Sequence, residues 1–304
     1  MTIETEGLAV HFRRGMGRQT VRALDGVDIL VSEGDFFALL GENGAGKSTA
    51  MGCLLGLVRP TAGRVRVFGR EPSIGSAAYR HIGYLPEEPH YHDYLTIEEA
   101  VAYYGALTGA AGWPARADAL VERLGLSAFR KMRLARCSKG MKQKLGIVQC
   151  LLGEPRLLLL DEPMRGLDPV AVREFRDILV DLNKRGVTVV MNSHILSEVE
   201  MVATRVAILR QGRVVAQGRV RDLLSTDHDA YEVEVAKTEG YPAYFEATGD
   251  REGPTVEGVV PLDRLYDFLD FTRARDLRVF RCALRRSTLE DAFLRIVRPG
   301  AADA

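Results

Sequence analysis

The segment Gly41-Glu42-Asn43-Gly44-Ala45-Gly46-Lys47-Ser48-Thr49 constrains the fold of this chain more than any other. It fits the pattern G-x-x-x-x-G-K-[ST], which functions only where a strand hands over to a helix. Both neighbours are readable: Phe36–Leu40 is an apolar strand pattern, and a helical pattern runs from Lys47 to about Leu55. The glycines leave backbone N–H groups free to wrap phosphate oxygens, which side chains would obstruct. The helix turns its positive dipole end towards the same anions. Lys47 supplies charge to the β and γ phosphates, and the Ser48 hydroxyl is a ligand for Mg²⁺. The chemistry indicated is binding of a nucleoside triphosphate, with the loop from Gly41 to Thr49 around it.

A second signal fits the first. Leu157–Leu160 is a continuous apolar run, the pattern of a strand buried on both faces, and Asp161-Glu162-Pro163 follows it. Such a strand delivers carboxylates to its C-terminal edge, beside the phosphate loop. Asp161 there holds Mg²⁺ through water, and Glu162 is placed to orient or deprotonate an attacking water.

The remaining pattern is α/β. Strands are expected at Leu8–Phe12, Val27–Val31, Gly63–Phe68, Ile82–Leu85, Val187–Met191, Val206–Leu209 and Val214–Ala216, with a basic hairpin at Arg13–Gln19. Helices are expected from Thr96, which with Glu99 forms a capping box, from Pro114, from Ser138 and around Val170–Lys184. The polar stretch Leu224–Ala230 reads as a boundary. Beyond it come strands at Tyr231–Val235, Val256–Val260 and Leu277–Leu284, a helix at Leu262–Arg273 and a last helix from Ser287, together a small α+β domain. Ser287 and Glu290 fit a capping box there. The stripe Leu289, Phe293 and Ile296 must be buried against its own domain, the core or a second copy.

Composition removes other classes. Lys+Arg and Asp+Glu balance at 41 each, so no global charge points to nucleic acid. The four cysteines form no pair at zinc spacing, and Cys53 and Cys150 sit in apolar helical stretches as small buried thiols. No apolar run approaches the roughly 20 residues that span a bilayer, and the N-terminus does not read as a signal peptide.

Between the two signals lies Cys137-Ser138-Lys139-Gly140-Met141-Lys142-Gln143. It resembles the LSGGQ signature of ABC ATPases, in the S-K-G-M form of ABC-2-type exporter ATPases. Ser138 and Gly140 at a helix start make a second anion cradle. Gly166-Leu167-Asp168-Pro169 resembles the D-loop, although Met164 and Arg165 before it depart from the usual residues. Asn192-Ser193-His194 resembles the switch-histidine loop, and Gly83-Tyr84-Leu85-Pro86-Glu87-Glu88 the Q-loop, with Glu87 where Gln is usual. Phe12 stands where the family stacks an aromatic on adenine, and it also fits a core position. The tail around Leu289-Glu290-Asp291-Ala292-Phe293-Leu294 is similar to the ending of exporter ATPases with an accessory C-terminal domain.

The resemblance implies a P-loop NTPase fold of ABC ATPase type, with antiparallel β and helical subdomains, over residues 1–225, and an accessory α+β domain over 226–304. It implies ATP hydrolysis with Mg²⁺ held by Ser48, Asp161 and Glu87, and catalysis by Lys47, Glu162 and His194. Ser138, Gly140 and Asp168 would serve the ATP of a second nucleotide-binding subunit, in a homo- or heterodimer. It also implies a separate transmembrane permease, docking where at least two of Tyr91, Tyr94 and Leu95 are expected to line an exposed groove, and a cytoplasmic chain peripheral on the inner face of the cell membrane. A soluble ABC-type ATPase with a regulatory or mechanical role is the alternative.

Overall fold

The computed structural model describes residues 1–14, 19–75, 77–224, 230–250, 253–285 and 288–297. Contacts divide the chain chiefly into Met1–Val220 and Arg221–Arg295.

The first unit opens with β1 (Ile3–Arg14), β2 (Gln19–Val31), β3 (Phe36–Gly41), α1 (Lys47–Leu54), β4 (Ala62–Val67) and β5 (Ile82–Leu85). Helices α2 (Ile97–Thr108), α3 (Trp113–Arg123) and α4 (Lys139–Leu151) follow, and then β6 (Leu157–Asp161), α5 (Pro169–Lys184), β7 (Thr188–Asn192), α6 (Leu196–Val202), β8 (Arg205–Arg210) and β9 (Arg213–Arg219), while α7 (Val220–Leu224) begins at the division and lies mostly beyond it. The central sheet runs β5-β6-β7-β3-β8-β9, parallel except for the final hairpin. Every residue of β3, β6 and β7 is buried, as continuous apolar strands in a parallel sheet require.

An antiparallel sheet, β2-β1-β4, covers one side. Ile3, Leu8, Leu24 and Val27 from it join Phe37, Leu39, Met51, Leu54, Leu159 and Val190 in one core. β1 begins five residues before the expected Leu8. Glu4, Glu6 and Gly7 interrupt the apolar alternation, and the register shifts between Thr5 and Leu8. The buried Thr5 hydroxyl spans that shift, donating to the Val27 carbonyl (2.9 Å) and accepting from the Ile29 amide (2.8 Å). Of the expected basic hairpin, residues 15–18 lie outside the described residues, while Arg13 pairs with Thr20 across it.

The Thr96 capping box forms as expected, with reciprocal bonds to Glu99 of 2.8 and 3.2 Å. Cys53 and Cys150 are buried, and burial pushes their thiols up to about 11 and about 12, away from thiolate chemistry. Among the described residues no helix is long and apolar enough to cross a membrane.

The second unit holds β10 (Ala230–Ala236), β11 (Glu246–Asp250), β12 (Thr255–Pro261), α8 (Leu265–Ala274), β13 (Val279–Leu284) and α9 (Leu289–Val297). Its sheet is antiparallel in the order β11-β12-β10-β13. The edge strand β11, Glu-Ala-Thr-Gly-Asp, has no apolar alternation to announce it, and its place is set by pairing with β12. Val233, Val235 and Val260 pack with Phe268, whose ring stacks on Phe245 (5.3 Å) and Phe271 (6.1 Å). At α9 the expected Ser287 cap falls outside the described residues. The reciprocal bonds are made one position later, by Thr288 and Asp291. Leu289 is buried, and Phe293 and Ile296 are half-buried.

Phe268→Ala removes the central ring of this small core and should cost about 3–5 kcal/mol. Loss of the second unit's protection in hydrogen exchange, with ATP binding retained, is the expected result.

Candidate nucleotide site

The strand order makes the site. β3, β6 and β7 are parallel neighbours, with Leu39 beside Asn192 and Asp161 beside Asn192. The loop after β3, the carboxylates after β6 and the histidine after β7 therefore emerge at one edge. They border a cleft of about 510 Å³ that Asn43, Gly44, Gly46, Lys47, Ser48, Thr49, Glu87, Asp161, Glu162, Arg165 and His194 line.

Within the loop, Gly46 caps α1 with φ of 109°, a conformation that L side chains rarely adopt. A Cβ there would also strike the Ala23 carbonyl. This tight loop lets Lys47 fold back, donating from Nζ to the carbonyls of Gly41 (2.6 Å) and Glu42 (3.2 Å). Burial holds the Lys47 ammonium below its ordinary pKa, while the Glu162 and Asp161 carboxylates pull the other way.

Asp161 is buried and accepts from Asn192 Nδ2 (3.1 Å), and Asn192 Oδ1 beside it is buried with no partner among the described residues. Glu162 is buried at φ of 47°, a strained conformation for a non-glycine residue. The strain aims its carboxylate at His194, whose Nδ1 lies 2.6 Å from Oε2. His194 is otherwise open to solvent, its side chain 55% exposed. Ser48, Asp161, Glu162, Lys47 and His194 are thus brought together as the sequence suggested.

Ser138 and Gly140 stand apart from this cleft. Ser138 caps α4, accepting from the Met141 amide (3.2 Å), and its hydroxyl end is exposed. A Cβ on Gly140 would sit 2.8 Å from the Gly166 carbonyl, so a glycine lets the helix start approach the loop before α5. Buried Gln143 donates to the Pro163 carbonyl (3.2 Å), tying α4 to the turn after β6.

Two of the expected residues have partners within their own chain. The Glu87 carboxylate, expected on Mg²⁺, is ion-paired with Arg165. Parallel pairing of β5 with β6 sets Leu85 beside Leu160 and brings the two following loops side by side, so the nearest cation takes the carboxylate. The Asp168 carboxylate, expected to reach a partner, caps α5 through the Ala171 amide (2.9 Å) and pairs with Lys144 (3.4 Å) in its own chain. Of the three groove residues, Tyr91 lines a groove with Lys139 and Lys142, Tyr94 is exposed outside it and Leu95 is half-buried. Among the described residues no group of three or more His, Cys, Asp or Glu converges as a ready metal cage.

The sequence assigns no role to Asn192, Gln143 or Arg165, nor to Arg22, which also lines the cleft. Only Asn192, ending a buried strand beside Asp161, carried a signal that could have found it.

A glycine loop gripping its own lysine at the edge of a buried parallel sheet, next to two strand-end carboxylates, defines a P-loop nucleoside triphosphatase. Residues 24–165 match the family described as ABC transporter. An ABC transporter ATP-binding protein of Synechocystis is 34% identical over 97% of this chain and 84% of its own. The bacitracin transport ATP-binding protein BcrA of Enterococcus faecalis is 32% identical over 98% and 97%. A solved ATP-binding subunit of an ABC transporter superposes with a TM-score of 0.67, at 31% identity, over 73% of this chain and 92% of its own. The chain belongs to the ABC transporter family, as an ATP-binding subunit with ATPase activity.

Phe12 is 44% exposed and paired across β1–β2 with Val21, which lines the cleft. It does not occupy a core position. Phe12→Ala should leave the apo melting temperature nearly unchanged and weaken ATP binding by about 1 kcal/mol, the value of one lost stacking contact. Calorimetric titration beside a thermal melt checks both.

Proposed function

We infer that this subunit closes on a second nucleotide-binding subunit, the same chain or a related one, and so drives a separate membrane permease of the export type. One observation carries the reading: α4 starts at exposed Ser138 and half-buried Gly140, outside the cleft that holds Lys47, Glu162 and His194. A single chain therefore offers two halves of different sites. Two chains facing each other would complete both, each ATP lying between the Lys47 loop of one and the Ser138 helix of the other.

Within each site the residues divide the work. Lys47, fixed by two carbonyls, places positive charge at the β and γ phosphates. Glu162 directs water, and His194 holds the Glu162 carboxylate in position while its exposed edge faces the cleft. Ser48 and Asp161 would hold Mg²⁺, and the orphaned Asn192 Oδ1 is a fitting acceptor for water in that shell. Bound Mg²⁺ supplies charge neutralisation at the phosphoryl group. Transport would follow from the higher affinity of ATP for the closed pair.

The bacitracin relative and the S-K-G-M signature support export over import. The balance of 41 basic and 41 acidic residues gives no footing for nucleic acid. A chain with this role would lie on the inner face of the cell membrane.

Glu162→Gln preserves shape and removes the base, so turnover should fall at least about a hundredfold with ATP binding intact. Light scattering should then show an ATP-dependent doubling of mass. Adding Ser138→Arg should abolish the doubling and spare ATP binding by the single chain. Loss of binding in that double variant would overturn the two-half arrangement.

A further inference from the structure

Arg165 lies in the tight turn after Glu162, its amide bonded to the Glu162 carbonyl (3.1 Å), and its guanidinium reaches across to Glu87. Both side chains remain roughly half-exposed, at 46% and 41%. An exposed pair adds little to stability, so its effect is to be sought in the cleft that both residues line. Among the lining residues, His194 apart, the cations are Arg22, Lys47 and Arg165 and the carboxylates are Glu87, Asp161 and Glu162, three against three. Removal of Arg165 would leave two against three, in a cleft that must admit a polyanion.

We propose that Arg165 is a positioning residue of the ATPase site: it neutralises Glu87 and holds that carboxylate off the triphosphate, so that the cleft accepts ATP. Glu87 and Arg165 together present a neutral, hydrogen-bonding group at this wall. Neighbouring Glu88 is engaged elsewhere, on Lys139 at the start of α4 (2.6 Å). The loop's two adjacent acids are thus both matched by cations, one on the β6 turn and one on the second cradle. The inference rests on the ATP-site reading above.

The test is ATP affinity of the full chain by calorimetry in Mg²⁺-free buffer, where hydrolysis does not interfere, together with the apo melting temperature. Arg165→Ala should weaken ATP about tenfold, the effect of one unmatched unit charge beside a polyanion. Glu87→Gln should tighten it several-fold, and the double variant should return close to the parent. The charge swap Glu87→Arg with Arg165→Glu should also bind near the parent. Melting temperatures should stay nearly constant throughout. The proposal is overturned if the double variant binds as weakly as Arg165→Ala, which would put Arg165 directly on the nucleotide. It is also overturned if the melting temperature falls while affinity does not, which would make the pair structural. Lys47→Ala separates the two readings: unaltered ATP affinity there would remove the site itself, whatever Arg165 does.

Discussion

The site depends on the parallel pairing of three buried strands, β3, β7 and β6. Each is buried along its whole length, and β6 and β7 end in the polar Asp161 and Asn192, so a slip by one residue would displace those side chains from the rim. Register then becomes position. Leu39 and Asp161 both pair with Asn192, and this common partner fixes the phosphate loop and the carboxylates at one height. The charged groups are therefore held in place by apolar burial several residues away.

On that rim, local backbone demands do the finer placing. Gly46 takes a conformation and a close approach that a Cβ would forbid, and Lys47 folds back as a result. Glu162 accepts the opposite bargain, a side chain at positive φ, and gains its contact with His194. Strain of this kind persists only where surrounding structure over-determines it. Here the Glu162 amide bonds to the Asn192 carbonyl (3.1 Å) and its own carbonyl receives the Arg165 amide.

What was legible in the sequence follows from the same physics. The loop at Gly41–Thr49, the acids at Asp161 and Glu162 and the capped helix at Thr96 could be read because each is a local pattern with one structural solution. The start of β1 was not, because the Thr5 hydroxyl bonds to β2, more than 20 residues away in sequence, and that contact leaves no local trace. β11 escaped for the same reason, as an edge strand defined only by its neighbour. Glu87 and Asp168 are legible by their place in a motif, but their in-chain partners, Arg165 and the start of α5, are not. The identity of such partners is a property of adjacent strands and helices, which spacing along the chain does not encode.

The contact between Gly140 and Gly166 carries a mechanical meaning. With no room for even a methyl group between the start of α4 and the loop before α5, and with Gln143 hydrogen-bonded to Pro163 beside it, neither segment can shift alone. The turn bearing Glu162 and the helix end bearing Ser138 are thus mechanically joined. If two subunits close as proposed, a displacement at one phosphate would be felt at the other through that joint.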